Sequence, residues 1–452
     1  MAMQTGRVLD GLKSGHLRWW ILLLLFLSTV LNYLDRQVFS VLAPFIRADL
    51  QFSNTNYAMV VNAFTIGTIL GLLVAGPFID RFGARLGFLI AIVLWSIGGA
   101  FTGLSWGLIS ICIFRFLLGL GEAGNWPAAS KAVAEWFPAK ERAIAMGFFN
   151  GGVSIGAIVA IPAVATLIWM AGGEMIETTK LVNGVSKTVE VLQPPNTWRW
   201  PFVLAALFSI PWLYYWMKLY HPPEKHPRIS QEEMALIQAD RIQGGGKKSR
   251  EVLYKIPFWG LFFARGITSP VWFFIAYWLF TYLHDVHGLK LREMAAIAWI
   301  PFATADIGNI LGGYWSGKLV ANGWKPISAR IALMGVGAGA MLINFVTGQA
   351  SVVWLALGLI SILTFFWGVW VSNMLALAAD SFPSREVASV MSWTGIAQHG
   401  GTAIFTAFTG WAVDKFANGY QIVFLAAALL PMIGFIFTVT MNRPSMVERA
   451  NG

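Results

Sequence analysis

Long apolar runs alternate with short polar breaks along the whole chain. The runs fall near residues 18–46, 55–79, 86–105, 108–134, 143–170, 199–219, 258–284, 294–318, 327–347, 351–379, 387–412 and 420–440. At ~1.5 Å rise per residue each can cross a ~30 Å hydrocarbon layer as a helix. Within lipid only helices and closed barrels satisfy the backbone, and runs of this length exclude barrel strands. The pattern predicts an all-α membrane protein with twelve transmembrane helices.

The stretch 220–256 is the one long polar interruption. It holds His221-Pro-Pro-Glu224, an amphipathic piece at 230–241 opened by Ser230 and Glu233 as a capping box, and the flexible Gly244-Gly-Gly-Lys-Lys-Ser249. It divides the chain into a six-helix bundle at 1–219, a linker at 220–256 and a second six-helix bundle at 257–452. The halves also repeat in sequence. Glu135-Trp-Phe-Pro-Ala-Lys-Glu-Arg-Ala143 matches Asp380-Ser-Phe-Pro-Ser-Arg-Glu-Val-Ala388, and Gly76-Pro-Phe-Ile-Asp80-Arg81 matches Gly313-Tyr-Trp-Ser-Gly317-Lys318. Six spans is an even number, so both halves insert in the same orientation. Parallel repeats of this kind place a substrate site at the interface between halves, near the membrane midplane.

Composition supports the membrane reading and removes rivals. The 452 residues are 57% hydrophobic and 12% charged, against about 25% charged in soluble domains. The net charge of +10 is a topology signal. With the N-terminus inside, most Lys and Arg fall in loops on that same side, with a cluster between 218 and 255. Only Arg47, Lys180, Lys187, Arg199, Lys290, Arg292 and Lys415 lie outside or at the outer interface. The positive-inside rule then puts both termini in the cytoplasm and makes a nucleic-acid partner the weaker reading. Arg18 leads directly into a span longer than a signal h-region, so the first helix is expected to serve as its own insertion signal. Cys112 is the single cysteine; no disulfide, metal site or cofactor is expected. The glycines of Gly335-x-Gly-x-Gly339 and Gly119-x-Gly121 sit inside spans and read as helix-packing positions, not phosphate loops.

Four ionisable residues lie deep in the apolar runs of the first half: Asp35, Arg36, Arg115 and Glu122. A charge at the bilayer centre costs at least ~2.5–3.5 kcal/mol unless it pairs or meets water. Span geometry places Glu122 at the midplane, Arg36 ~6 Å and Arg115 ~9 Å toward the outside. Arg36 is the candidate for a substrate carboxylate, because a guanidinium stays charged and offers a planar fork. Asp35 and Glu122 are candidate proton carriers. Burial disfavours a carboxylate's charge and a nearby arginine favours it, so a group under both influences can switch. An ionised Glu122 would compete with substrate for Arg36 or Arg115. The competing reading is a purely structural buried ion-pair network. The second half lacks matching charges and offers aromatic and neutral polar groups instead. These are Trp272 within Val271–Trp278, and Trp367, Trp370, Ser372 and Asn373 in the tenth span, with Gln398 and His399 in the eleventh. Trp faces and Asn/Ser hydrogen bonds suit a sugar ring; packing or interfacial anchoring is the alternative for each tryptophan. Tyr33, one turn before Arg36, and Asn150, in the fifth span, are further candidates for substrate contact. Arg265 near the inner end of the seventh span reads as a structural or gating residue.

At these residues a resemblance becomes specific. Gly76-x-x-x-Asp80-Arg81-x-Gly83-x-Arg85 resembles the signature loop of the major facilitator superfamily, with Ala84 where a basic residue is usual. The resemblance implies that Gly76, Asp80, Arg81, Gly83 and Arg85 latch the cytoplasmic side. Asn32-Tyr-Leu-Asp-Arg36, Arg115 with Gly119-x-Gly-Glu122, and Glu135-Trp-Phe-Pro-Ala-Lys-Glu-Arg142 resemble the anion:cation symporter family. Phe149-Asn150, Ala298-Trp-Ile-Pro301, Ala305-Asp306-Ile-Gly308 and Ile310-Leu-Gly-Gly313 are most similar to its bacterial hexuronate transporters. An insert at 171–198, with the β-branched run Val185–Val191, departs from that pattern and suggests an external hairpin. The resemblance implies a monomeric, non-enzymatic, proton-coupled importer of a sugar acid such as glucuronate or galacturonate, in a bacterial inner membrane. Another organic anion such as galactonate is the alternative substrate. A non-transporting membrane sensor is the alternative class, disfavoured by tails too short for an output domain.

Overall fold

The computed structural model describes residues 17–137, 139–182, 185–239, 253–382, 384–445 and 447. Among them, ten helical stretches are long and apolar enough to cross a membrane unaided. The first is α1 (Leu17–Leu50), and α2 (Asn54–Gly103) supplies the second and third. That helix breaks at Gly83, whose φ of 86° and ψ of 163° lie outside helical space and where the missing Cβ removes the penalty. The fourth span joins α3 (Leu108–Glu122) to α4 (Asn125–Trp136). The fifth, α5 (Ala139–Met170), bends by 51° at Pro162, because proline removes a helix donor and its ring crowds the preceding turn. A short 3₁₀ turn, α6 (Trp200–Leu207) and α7 (Ser209–Leu219) make the sixth.

After the helix α8 (Gln231–Ala239), the second half repeats the plan. Its spans are α9 (Ile256–His287), then α10 (Leu291–Ile297) with α11 (Ile300–Ala321), α12 (Pro326–Met341) with α13 (Asn344–Thr347), α14 (Val353–Ser381), α15 (Ser384–Lys415) and α16 (Gly419–Met441). With the bent fifth and the 32-residue α15 the count reaches twelve. The α15 sequence carries many Ser, Thr, Gly, Gln and His residues and is too polar to face lipid all round. One side of it packs against α9 and α2.

The repeat is visible in the geometry. Phe137 ends α4 in extended backbone (φ −116°, ψ 134°), and Phe382 ends α14 the same way (φ −131°, ψ 145°). Glu135 accepts from the Tyr220 hydroxyl at 2.6 Å, and Asp380 accepts from Arg330 Nε at 3.2 Å. Close helix approach repeats as well. A Cβ on Gly119 of α3 would overlap the Phe64 carbonyl of α2, and one on Gly308 of α11 would overlap the Phe365 carbonyl of α14. Small residues let helices meet backbone to backbone in this way.

The insert forms an antiparallel hairpin, β1 (Glu174–Val182) with β2 (Val185–Gln193), Glu174 pairing with Gln193. Alternation of the spans places it at the same end as the breaks at 51–53, 104–107, 288–290 and 416–418. At this hairpin end the halves are tied together. Arg47 Nη1 meets Asp285 Oδ2 at 2.9 Å. Asp414 accepts from the Asn54 N–H (2.9 Å), Asn54 Nδ2 (2.9 Å) and the Thr55 N–H (2.6 Å), capping α2 from α15. Deeper, the Tyr57 hydroxyl donates to the Tyr277 carbonyl at 2.6 Å.

At the opposite, linker end, Ser230 caps α8 by accepting from the Glu233 N–H at 3.1 Å. The Glu233 carboxylate does not close the expected box; it reaches Arg18 at 3.3 Å, tying α8 to α1. The long-range ion pair outcompetes the local hydrogen bond from the Ser230 N–H.

Candidate functional site

A cavity lies between the halves. From α1 it is lined by Tyr33, Arg36 and Gln37, which helical spacing of three and four puts on one face. From α9 come Trp272, Phe273, Ala276 and Tyr277, from α5 Val153 and Ala157, and from α11 Phe302. It has room for about one water, so a larger solute enters only when the halves part.

Behind its charged wall lies the ionisable cluster. Arg36 Nε donates to Glu122 Oε2 at 2.5 Å, with the Glu122 side chain wholly buried. Among the described residues the other Glu122 oxygen has no hydrogen-bond partner. Arg115 is 1% exposed, and its Nε and Nη1 are likewise unpartnered. Its charge rests on ring faces: Cζ lies 4.4 Å from the Phe39 centroid and 4.9 Å from that of Phe64. Arg36 shares the same Phe64, at 5.1 Å, and lies 5.0 Å from Tyr33. Such contacts partly replace water around a desolvated cation. Asp35 is buried and makes no hydrogen bond or ion pair among the described residues; its charged neighbours are Glu122 and Arg115. The cluster thus holds two cations and two carboxylates, with one pair joined and several polar atoms unsatisfied.

On the opposite wall Trp272 stacks on Trp367 at 4.5 Å and 14°, and meets the edge of Phe302 at 5.6 Å. The other second-half candidates lie elsewhere. Trp370 is fully buried, edge-on to Phe435 of α16. Ser372 donates to the Val369 carbonyl at 3.2 Å. Asn373 donates to Val369 at 2.9 Å and to Gly312 of α11 at 3.1 Å, bridging α14 and α11. Asn150 sits exposed on α5, outside the cavity lining. His399 bonds the Gly395 carbonyl of its own helix and lies 5.8 Å from Phe273.

Of the residues singled out in the sequence, Tyr33, Arg36 and Trp272 therefore line the cavity, with Glu122 bonded to one of them. Gln37, Phe273 and Tyr277 join them without having been candidates. A glutamine deep in a span was a readable signal, as was the aromatic run at 271–278. Val153, Ala157 and Phe302 are apolar residues in apolar spans and carry no signal.

The signature loop lies at the linker end. Arg85 Nη2 donates to the Met217 carbonyl at 2.6 Å, and Trp216 Nε1 donates back to the Arg85 carbonyl at 3.1 Å, fastening the loop to α7. Arg81 lies over Phe82 at 5.3 Å, and Gly76 faces open space. Ala84, where a basic residue is usual, is buried. The Asp80 side chain lies outside the described residues.

Fold, repeat, signature loop and central cavity together define a transporter of the major facilitator type. The sequence matches the Major Facilitator Superfamily over residues 25–406, and the chain belongs to that family. It is 29% identical over 451 residues to the hexuronate transporter of Escherichia coli strain K12, covering 96% of both chains. It is 32% identical over 310 residues to the galacturonate transporter of Dickeya chrysanthemi, covering 67% of this chain and 82% of that one. Its fold is similar to the crystal structure of a bacterial homolog to the human lysosomal transporter Spinster, inward-facing and unoccupied. That match has a TM-score of 0.70 at 20% identity, over 97% of each chain.

Proposed function

We propose that the protein is a proton-coupled importer of a sugar acid, a hexuronate such as glucuronate or galacturonate, working by alternating access in a bacterial inner membrane with both termini cytoplasmic. The observation that carries this reading is the Arg36–Glu122 pair, in which the cavity's own cation is held by a buried carboxylate. With Glu122 ionised, Arg36 is neutralised and unavailable. Protonating Glu122 breaks the pair and leaves Arg36 facing the cavity uncompensated, a costly state that an incoming carboxylate relieves. One proton per monovalent anion keeps the cluster's charge unchanged, so proton and anion bind together. Asp35, buried beside Glu122 and without a hydrogen bond or ion pair among the described residues, is the second candidate for that proton. Arg115, held on Phe39 and Phe64, keeps a positive field behind the pair.

The ring of the substrate is matched by the Trp272 face, with Tyr33 and Gln37 offering hydrogen bonds to hydroxyls. The hexuronate and galacturonate transporters among the relatives agree with this chemistry. The bonds Arg47–Asp285 and Asp414–Asn54/Thr55 close the outer, hairpin end, and opening it requires their rupture. The test is labelled-glucuronate uptake into proteoliposomes, with and without an inward proton gradient, with galactonate as competitor. Gradient-dependent accumulation that galactonate blocks poorly supports the reading; uptake of the aldonate alone moves the substrate to another organic anion.

A further inference from the structure

Arg265 lies beneath the tryptophan pair, on the linker side of the cavity. It precedes Trp272 by seven residues on α9, two helical turns, which puts it on the same face about 10 Å nearer the linker end. Met374 follows Trp367 by seven residues on α14, a helix running the other way, and so descends in parallel. Where the two faces meet again, a second small cavity is lined by Leu261, Arg265, Met374, Ala378, Met391 and Thr394.

Every contact of this guanidinium is neutral. Nε donates to Gln398 Oε1 at 2.8 Å, and Nη1 to Thr394 Oγ1 at 3.1 Å and the Met391 carbonyl at 3.3 Å, with Met391 Sδ at 3.8 Å. No carboxylate among the described residues is within ion-pair distance, and Nη2 makes no hydrogen bond among them. Buried cations in spans normally pair or line a path for ions. Gln398 and Thr394 fix the orientation of the fork while leaving its charge uncompensated.

We propose that Arg265 is a second station for the substrate's carboxylate, occupied after the anion leaves Arg36 and before it reaches the cytoplasm. The proposal rests on the sugar-acid reading above. A transported anion then passes from one guanidinium to the next along the face that carries Trp272, and is never stranded without a cation.

The test measures half-saturation for labelled-glucuronate exchange separately at each face of oriented proteoliposomes, for the wild type, Arg265→Gln and Arg265→Lys. Losing one charge-assisted contact predicts a rise of about tenfold at the linker face in Arg265→Gln. At the hairpin face half-saturation stays within about twofold, and Arg265→Lys restores most of the loss. An equal rise at both faces, or no rise at the linker face, overturns the station. Should Arg265→Gln fail to fold, Met374→Glu sets a carboxylate against Arg265 and must raise the linker-face value alone; an unchanged value overturns the proposal. A wild-type protein that exchanges no sugar acid at either face refutes the transport reading, and the station with it.

Discussion

Glu122→Gln separates charge from shape at the centre of the proposed mechanism. The amide keeps the volume of the side chain and can still accept from Arg36, whose Nε sits 2.5 Å from Glu122 Oε2. What disappears is the negative charge that competes with substrate. In the wild type a proton must bind before the anion displaces Glu122. Above the site's pKa, one coupled proton then weakens apparent affinity tenfold per pH unit, about 1.4 kcal/mol. In Glu122→Gln the arginine is permanently available, so affinity becomes flat with pH and equals the wild-type low-pH value. Titration calorimetry with glucuronate between about pH 6 and about pH 8 reads both slopes. In vesicles the variant should exchange substrate yet fail to accumulate it on a proton gradient. A variant that keeps the tenfold slope, or still concentrates substrate, refutes the role of Glu122 and leaves Asp35 as the coupling site.

Three further outcomes follow from the geometry. Asp414→Ala removes three bonds that close the hairpin end; at the ~1 kcal/mol of an exposed helix cap it shifts the population about fivefold toward the outward-open form. Spin-label distances across that end report the shift, and an unchanged distribution contradicts the latch. Gly119→Ala drives a methyl into the Phe64 carbonyl and should cost about 1–3 kcal/mol; a wild-type melting temperature would show that α2 and α3 yield freely. At the linker, His226 donates through Nε2 to the Leu219 carbonyl and accepts at Nδ1 from the Arg228 N–H, both at 3.1 Å, so it must be neutral. Burial, with His221 and Arg228 nearby, holds it below the usual histidine range. The undocked segment around His226 therefore takes up a proton first, and the docking of α8 weakens as pH falls below about 6.5. Lower protection of the Gln231–Ala239 amides at about pH 5.5 than at about pH 7.5, after correction for the intrinsic pH dependence of exchange, and abolished by His226→Gln, checks this; protection insensitive to the substitution counts against it.

The spans were legible because lipid leaves a chain little freedom: only long apolar helices satisfy the backbone, and their lengths follow from bilayer thickness. Even α15, which carries many polar residues, was readable as the apolar run at 387–412. Depth arithmetic also set Arg36 between Glu122, ~6 Å deeper, and Arg115, ~3 Å further out. It left open whether Glu122 pairs with Arg36 or Arg115. Arg115 and Glu122 share a face of α3, but two turns separate them by about 10 Å along the axis, and the packing of α1 brings Arg36 to the carboxylate instead. Helix rotation was the illegible quantity in the second half. Trp370, Ser372 and Asn373 drew notice as large or polar groups deep in a span. The Ser372 hydroxyl and Asn373 Nδ2 both use the Val369 carbonyl of their own helix, which leaves those donors no need of a ligand. Trp367, three residues before Trp370, stacks on the cavity-lining Trp272.

The most direct test of proton coupling records internal pH and labelled glucuronate together in lightly buffered proteoliposomes. Adding substrate outside, with no imposed gradient, should acidify the lumen in step with uptake, by at least one proton per anion, and a protonophore should abolish the acidification. Uptake of glucuronate with no movement of internal pH would contradict the coupling of Glu122 to the substrate's arginine.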